Sequence, residues 1–304
     1  MALSTRAVQA KIKSVNNIKK ITKAMEMVAA SKMRKAVSRA LQTREYTEAA
    51  LSLLVTISRD AAIRHPYFQR KTGDRSLIIM IASNKGLCGG FNVNLARAVL
   101  RFLQSDAMQG KQVDYVTIGK NAERFARKTR GSVVGTFTDL TEKVGIGDMR
   151  GLRKLVLDAY ESGEYANVYI AYTNFVSAIK YESVIREILP MNILIEKNIL
   201  AELGKDKEGS EKKLENMDTY MFEPGEDEVL EAVLPRLFEI NLYQALLESF
   251  ASEQSARMVA MKNASDNAKS LVEDLTLHYN NIRQSSVTRE ISEIAAGADA
   301  LQVE

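Results

Sequence analysis

EDEVLEAVLPRLFEINLYQALLESFASEQSARMVAMKNASDNAKSLVEDLTLHYNNIRQSSVTREISEIAA, residues 226–296, contains no glycine and one proline, Pro235. Glycine and proline are the main breakers of long helices. The stretch therefore reads as one helix, with Pro235 as a kink or a late first turn. Glu226, Asp227 and Glu228 suit a helix start, where the dipole favours acids. Leu230, Leu234, Leu237, Phe250, Met258, Met261, Ala268, Leu271, Leu275 and Ile282 supply apolar steps. At 1.5 Å per residue the helix would be about 105 Å long.

The other end of the chain reads the same way. Residues 1–65 hold neither proline nor glycine. A helix is expected from Ser4, a plausible N-cap, to Ala62, and would be about 90 Å long. Val8, Ile12, Val15, Ile18, Met25, Val28, Met33, Ala36, Ala40, Leu51 and Leu54 fall on a drifting stripe of three- and four-residue steps. Helices of three or four turns are usual in compact domains. Two such long ones hide their stripes most economically by pairing antiparallel as a left-handed coiled coil.

Between these ends the pattern changes. Leu77–Ala82 is a continuous apolar run, as expected for a strand buried on both faces. A helix is expected at Val93–Leu103, a strand at Val113–Ile118, a helix at Asn121–Lys128, a strand at Ser132–Phe137 and a helix at Met149–Tyr160. Strands at Val168–Thr173 and Ser183–Leu189 complete the set. The alternation implies a mostly parallel sheet covered by helices. The fold class is thus α/β plus long α: a coiled coil of the two ends around an inserted Rossmann-like domain. The expected divisions are 1–66 with 218–304 for the coiled coil and 75–196 for the α/β domain. Residues 197–217 form a charged loop, with GKDKEGSEKKLEN at 204–216 as its mobile part.

Charge is uneven across the 304 residues, whose formal net charge is +4. Residues 1–44 contain Arg6, Lys11, Lys13, Lys19, Lys20, Lys23, Lys32, Arg34, Lys35, Arg39 and Arg44 against Glu26 alone. Such an end implies an acidic partner. Aromatic residues are absent before Tyr46, so base stacking has no platform there. An arm that grips RNA backbone and an acidic protein sleeve both fit at this point, and an unfamiliar nucleotide enzyme is a third reading.

Catalytic and metal signatures are weak. The best phosphate candidate is Gly86-Leu87-Cys88-Gly89-Gly90, after the first strand, but it lacks dinucleotide-fingerprint spacing. A tight turn that lets backbone approach another element is the commoner use of such glycines. Cys88 is the single cysteine, which excludes an intramolecular disulfide and a thiolate cluster. The two histidines, His65 and His278, are separated by the expected architecture. No cofactor and no metal are expected. The longest apolar run, Leu77 to Ala82, is too short to span a bilayer, and no secretory signal is expected at the start.

Specific segments carry a resemblance. KKITKAMEMVAASKMRKA at 19–36, SNKGLCGGFN at 83–92, YQALLESFASEQSARMVAMK at 243–262 and NASDNAKSLVEDLTLHYNNIRQSSVTREISEI at 263–294 are similar to the gamma subunit of rotary F-type ATP synthases. That resemblance implies a central-stalk rotor without a catalytic site. Its implied partners are the alpha and beta subunits, as a hexamer, the epsilon subunit and the membrane c-ring, with no nucleic acid. Proton flow would turn the ring and stalk. By matched residue, Met25, Arg257, Gln284 and Thr288 correspond to contacts with beta-subunit loops. Lys85 and Cys88 lie in a loop expected to meet an acidic beta loop. Ile291, Ile294, Ala295 and Leu301 correspond to the tip in an apolar bearing. The family commonly has Asp-Arg where this chain has Asn84-Lys85, and a lone Cys88 cannot form the regulatory cysteine pair of plastid forms. The implied location is peripheral, on the cytoplasmic face of a bacterial membrane or on the matrix side of an organellar one.

Overall fold

The computed structural model describes residues 5–60, 65–129, 131–140, 144–191 and 225–302, with side chains undescribed within 44–60, 226–227 and 297–302. The charged loop expected at 197–217 lies outside the described residues. Two helices frame the sequence: α1, Thr5–Asp60, and α5, Glu226–Gln302, 56 and 77 residues long. Pro235 sits inside α5, so it interrupts one backbone bond without ending the helix. The chain forms two compact units, one of residues 30–256 and one that joins 1–29 to 257–304.

The 30–256 unit is built on a five-stranded sheet. Its strands are β1 (Arg75–Ile81), β2 (Gln112–Ile118), β3 (Ser132–Phe137), β4 (Asn167–Phe175) and β5 (Tyr181–Leu189). Helices α2 (Phe91–Leu103), α3 (Lys120–Lys128) and α4 (Arg150–Glu161) make the crossovers. The order is β3-β2-β1-β4-β5. β1 runs parallel to β2 and β4, β2 parallel to β3, and β5 antiparallel to β4. β5 must reverse because only residues 176–180 separate it from β4, and a parallel crossover needs a dozen or more residues.

Side chains alternate between two cores, as strand geometry requires. Leu77, Ile79 and Ile81 of β1 enter one core with Leu152 and Val156 of α4 and with Leu234, Phe238 and Leu246 of α5. Ala36 of α1 belongs to this core. Ile78 and Met80 enter the other, with Leu95 and Val99 of α2 and Ala122 and Ala126 of α3. A segment of α5 thus does the covering that a crossover helix does in a simple doubly wound sheet.

One ion pair is buried where α4 meets α5. Glu239 is fully buried, and Arg153 Nη1 donates to its Oε2 at 2.8 Å. Arg236 stands 3.6 Å from the same oxygen, and Oε1 has no hydrogen-bond partner among the described residues. Removing Arg153 leaves the buried carboxylate with the longer contact to Arg236, whose side chain is mostly in water, a weaker compensation for its burial.

In the unit of 1–29 and 257–304, burial follows a seven-residue repeat. On α1 the buried positions are Val8, Val15, Thr22 and Ala29, and Ile12, Lys19 and Glu26 are half-buried between them. On α5, Met261, Ser265 and Ala268 are buried, followed by half-buried Val272, Leu275, Tyr279, Ile282 and Ser286. Alternate steps of four and three are the mark of a left-handed coiled-coil seam. The expected stripes are corrected at three positions. Ile18 and Val28 are 50% and 55% exposed, because the seam keeps to seven-residue spacing and takes Thr22 and Ala29 instead. Leu271, expected inside, is likewise exposed at 42%.

We expect Arg153→Met to destabilise the chain by about 2–3 kcal/mol. Adding Glu239→Met should restore most of that loss. Urea unfolding of the four members of this cycle measures the coupling, and additive effects would contradict it.

Candidate functional site

In an open sheet of parallel strands, ligands usually bind outside the carboxyl ends where the strand order reverses. Here that place lies between β1 and β4. The chain fills it with its own helix. Ser252 Oγ of α5 donates to Thr173 O at 3.1 Å, and Ser255 Oγ donates to Ala178 O at 2.6 Å. Ala256 packs with Cys88 and Phe91, and Tyr181 lies against that group. Burial first, then the nearby Cys88, pushes the Tyr181 phenol up. Serine and alanine at these α5 positions let the helix backbone come close to the strand ends.

Polar side chains brace the loop from Ser83 to Gly90. Asn84 Nδ2 donates to Thr138 O at 2.9 Å, while its Oδ1 accepts from Lys120 N at 3.1 Å, the first helical N–H of α3. Asn121 Nδ2 donates to Ser83 O at 2.8 Å. Gly119 sits beside the same strand end at φ +91°, where a Cβ would fall 2.2 Å from Ala82 O. Only glycine fits there. Asn92 Nδ2 donates to Cys88 Sγ at 3.3 Å.

Cys88 therefore faces inward and is 2% exposed. The outward surface of the loop is Lys85, Gly86 and Leu87, with Gly89 and Gly90 beyond the cysteine. Leu87 is 63% exposed at φ +61°. A left-handed conformation costs a leucine about 1–2 kcal/mol. Such strain is usually held at functional sites. The hairpin between β4 and β5 adds Val176 and Ile179, 50% and 83% exposed, so this end of the sheet presents three unburied aliphatic side chains. Sequence reading found the loop through its glycines but missed the hairpin and the two serines. The Ser-x-x-Ser spacing of Ser252 and Ser255 was the available signal.

The helix-pair unit carries the remaining candidates. Met25 is half-buried, flanked along its face by Ile18, Ile21 and Val28, which are 50–59% exposed. Arg257 is half-exposed, and Gln284 and Thr288 are exposed. The seam ends at Ser286, because the next positions in its phase are Arg289 and Glu293. Apolar residues continue off that phase as Val287, Ile291 and Ile294, exposed at 48%, 62% and 73%. Ala295 is exposed too. The side chain of Leu301 lies outside the described residues. Among the described residues no cluster of His, Cys, Asp and Glu could hold a metal. No described helix is long and apolar enough to cross a membrane.

A protein-family model described as ATP synthase matches residues 4–301. The ATP synthase gamma chain of Cupriavidus metallidurans is 41% identical over 298 residues, 98% of this chain and 99% of that one. The chain belongs to the ATP synthase gamma family. A second gamma chain, from Legionella pneumophila, is 36% identical over 297 residues, 97% of this chain and 99% of its own. Among solved structures, a chain of the central stalk and c-ring of Tetrahymena thermophila mitochondrial ATP synthase superimposes with a TM-score of 0.57. It is 25% identical, over 81% of this chain and 99% of that one. A chain of the Euglena gracilis mitochondrial ATP synthase, in an OSCP/F1/c-ring structure, shares the fold with a TM-score of 0.64. It is 20% identical, over 98% of this chain and 94% of that one. The gamma family thus accounts for the full run of elements, from α1 to α5.

Two outcomes follow for the loop. Leu87→Gly should leave stability unchanged or raise it by up to about 1 kcal/mol, since relief of strain offsets added chain entropy. Leu87→Val should lower it by about 1 kcal/mol. Denaturant midpoints of the purified chain decide this. Cys88 should react with a thiol reagent at least roughly tenfold more slowly in the folded chain than in urea, because reaction requires exposed thiolate.

Proposed function

We propose that this chain is the central-stalk rotor subunit of an ATP synthase, coupling ion flow to conformational change at catalytic sites on other subunits. The observation that carries the reading is the helix pair. Its buried seam repeats every seven residues, while an outer face of Ile18, Ile21 and Val28 stays exposed among lysines. A helix pair with a continuous seam resists twisting apart, and an exposed apolar face invites a surrounding protein sleeve. In this reading the sleeve is the hexamer of alpha and beta subunits. Met25, Arg257, Gln284 and Thr288 touch beta loops, and Ile291, Ile294, Ala295 and Leu301 turn in the upper bearing. The epsilon subunit and the c-ring hold the α/β unit.

The mechanism is differential contact. An asymmetric helix pair presents different side chains to each beta subunit at each angle. A conformational equilibrium shifts only by the difference in contact energy between its states. Turning the pair therefore changes nucleotide affinity at each beta site in sequence, while the chain supplies no catalytic group. Lys85 would meet an acidic beta loop as an exposed point charge. Such a pair contributes about 1 kcal/mol or less, and less in high salt. Leu87 supplies the apolar part of that contact, whereas Cys88 supports the loop from inside. The chain would sit peripherally, on the cytoplasmic face of a bacterial cell membrane.

Neighbouring substitutions test this reading. Ile21→Glu should change the stability of the isolated chain by no more than about 0.5 kcal/mol, yet impair coupled ATP synthesis in the assembled enzyme. Thr22→Glu, one residue on but inside the seam, should destabilise the chain by about 2 kcal/mol. Furthermore, a cysteine at position 21 disulfide-linked to a beta subunit should stop ATP hydrolysis until it is reduced. Full hydrolysis by quantitatively linked enzyme would overturn the rotor reading.

A further inference from the structure

α2 and α3 share one face of the sheet. Leu95, Val99, Ala122 and Ala126 point into the same core, with α2 packed over β4 and β5 and α3 over β2 and β3. Their outward positions are strongly basic. Arg97 and Arg101 of α2 and Lys120, Arg124, Arg127 and Lys128 of α3 are all exposed. α2 contains no acidic residue, and Glu123, the one acid of α3, accepts from Arg127 Nη2 at 2.7 Å. Arg124 Nη1 donates to Asn121 Oδ1 at 3.2 Å. Two aliphatic side chains of α2, Val93 and Leu100, lie on this outer side, 50% and 43% exposed. The buried cores do not use this surface, and none of Met25, Lys85, Arg257, Gln284 and Thr288 lies on it.

We propose that the outer face of α2 and α3 is a docking surface for an acidic helical segment of another protein. Arginine matches carboxylates through paired hydrogen bonds. Arg124 and Arg127 are already braced by Asn121 and Glu123, so little ordering remains to oppose binding. Leu100 and Val93 offer an apolar seat between the cations. An anionic lipid surface fits less well, because an interfacial helix needs a broad apolar face to sink into the bilayer. The helices span 13 and 9 residues, about 20 Å and 14 Å, so the contact is small and the partner binds and leaves.

The test places a photo-cross-linking residue at Leu100 in intact enzyme in native membranes. Expected is an adduct to a protein segment rich in Asp and Glu. Its yield should fall roughly two- to fivefold for each of Arg97→Gln, Arg101→Gln and Arg124→Gln. It should also fall when salt rises from about 0.15 M to about 0.5 M. An adduct to lipid, an adduct to a segment without acids, or no adduct overturns the proposal. The choice of sample rests on the rotor reading, so the purified full chain provides a second arm. A labelled helical Glu/Leu peptide should bind it more tightly than it binds the triple Gln variant. Equal binding overturns the docking surface whether or not the chain assembles, whereas failure to co-purify with other ATP synthase subunits breaks only the rotor reading.

Discussion

Everything in the α/β unit depends on how closely α5 approaches the carboxyl ends of β1 and β4. From Phe238 to Ala256 the helix is buried on almost every side, which only small residues at the contact positions permit. Ser249, Ala251, Ser252, Ser255 and Ala256 are those residues. Two of them do more than leave room. The carbonyl of Thr173 lies inside the packed end of the sheet, where an unpaired backbone oxygen is costly, and that of Ala178 lies in the half-buried hairpin. Ser252 and Ser255 donate to them. Larger apolar residues would remove those bonds and lift the helix off the strands together.

This seat also changes what the sheet can do. A doubly wound sheet offers ligands its crevice at the point where strand order reverses. Here α5 occupies the crevice, and the glycine-bearing loop turns its cysteine toward Ala256. What remains outside is Lys85, Gly86 and Leu87 with Gly89 and Gly90, the surface that the proposed function gives to a partner subunit. The positive φ of Leu87 and the burial of Cys88 belong to the same turn, since reversing the chain within so few residues puts one side chain in and its neighbour out.

The strands were legible because both faces of β1, β2 and β4 are covered, and such strands write themselves as apolar runs. The long helices were legible through missing breakers. Their faces were not. Ile18 and Val28 look like seam residues because they are apolar, yet the seam takes Thr22 and Ala29. Two helices at close range favour small side chains, and the seven-residue spacing outranks hydrophobicity. The inward turn of Cys88 had no sequence signal either, because it depends on backbone angles and on a helix more than 160 residues away. Gly119 shows the same limit: its need for glycine comes from Ala82, just past the end of β1.

The exposed apolar positions fit rotation better than polar ones would. Hydrophobic attraction is non-directional and scales with area removed from water. A stripe such as Val287, Ile291 and Ile294 therefore loses little when its apolar surroundings slide past. Hydrogen bonds behave oppositely, weakening steeply once their angles fail, so a bearing lined with them would catch at fixed angles. Charges are the useful intermediate, because Coulomb attraction falls gradually with distance. The basic side chains on α1 and the exposed Lys85 can bias particular angles without locking them. In the proposed role, the apolar tip lets the helix pair turn, and the cations decide where along the turn each partner subunit is favoured.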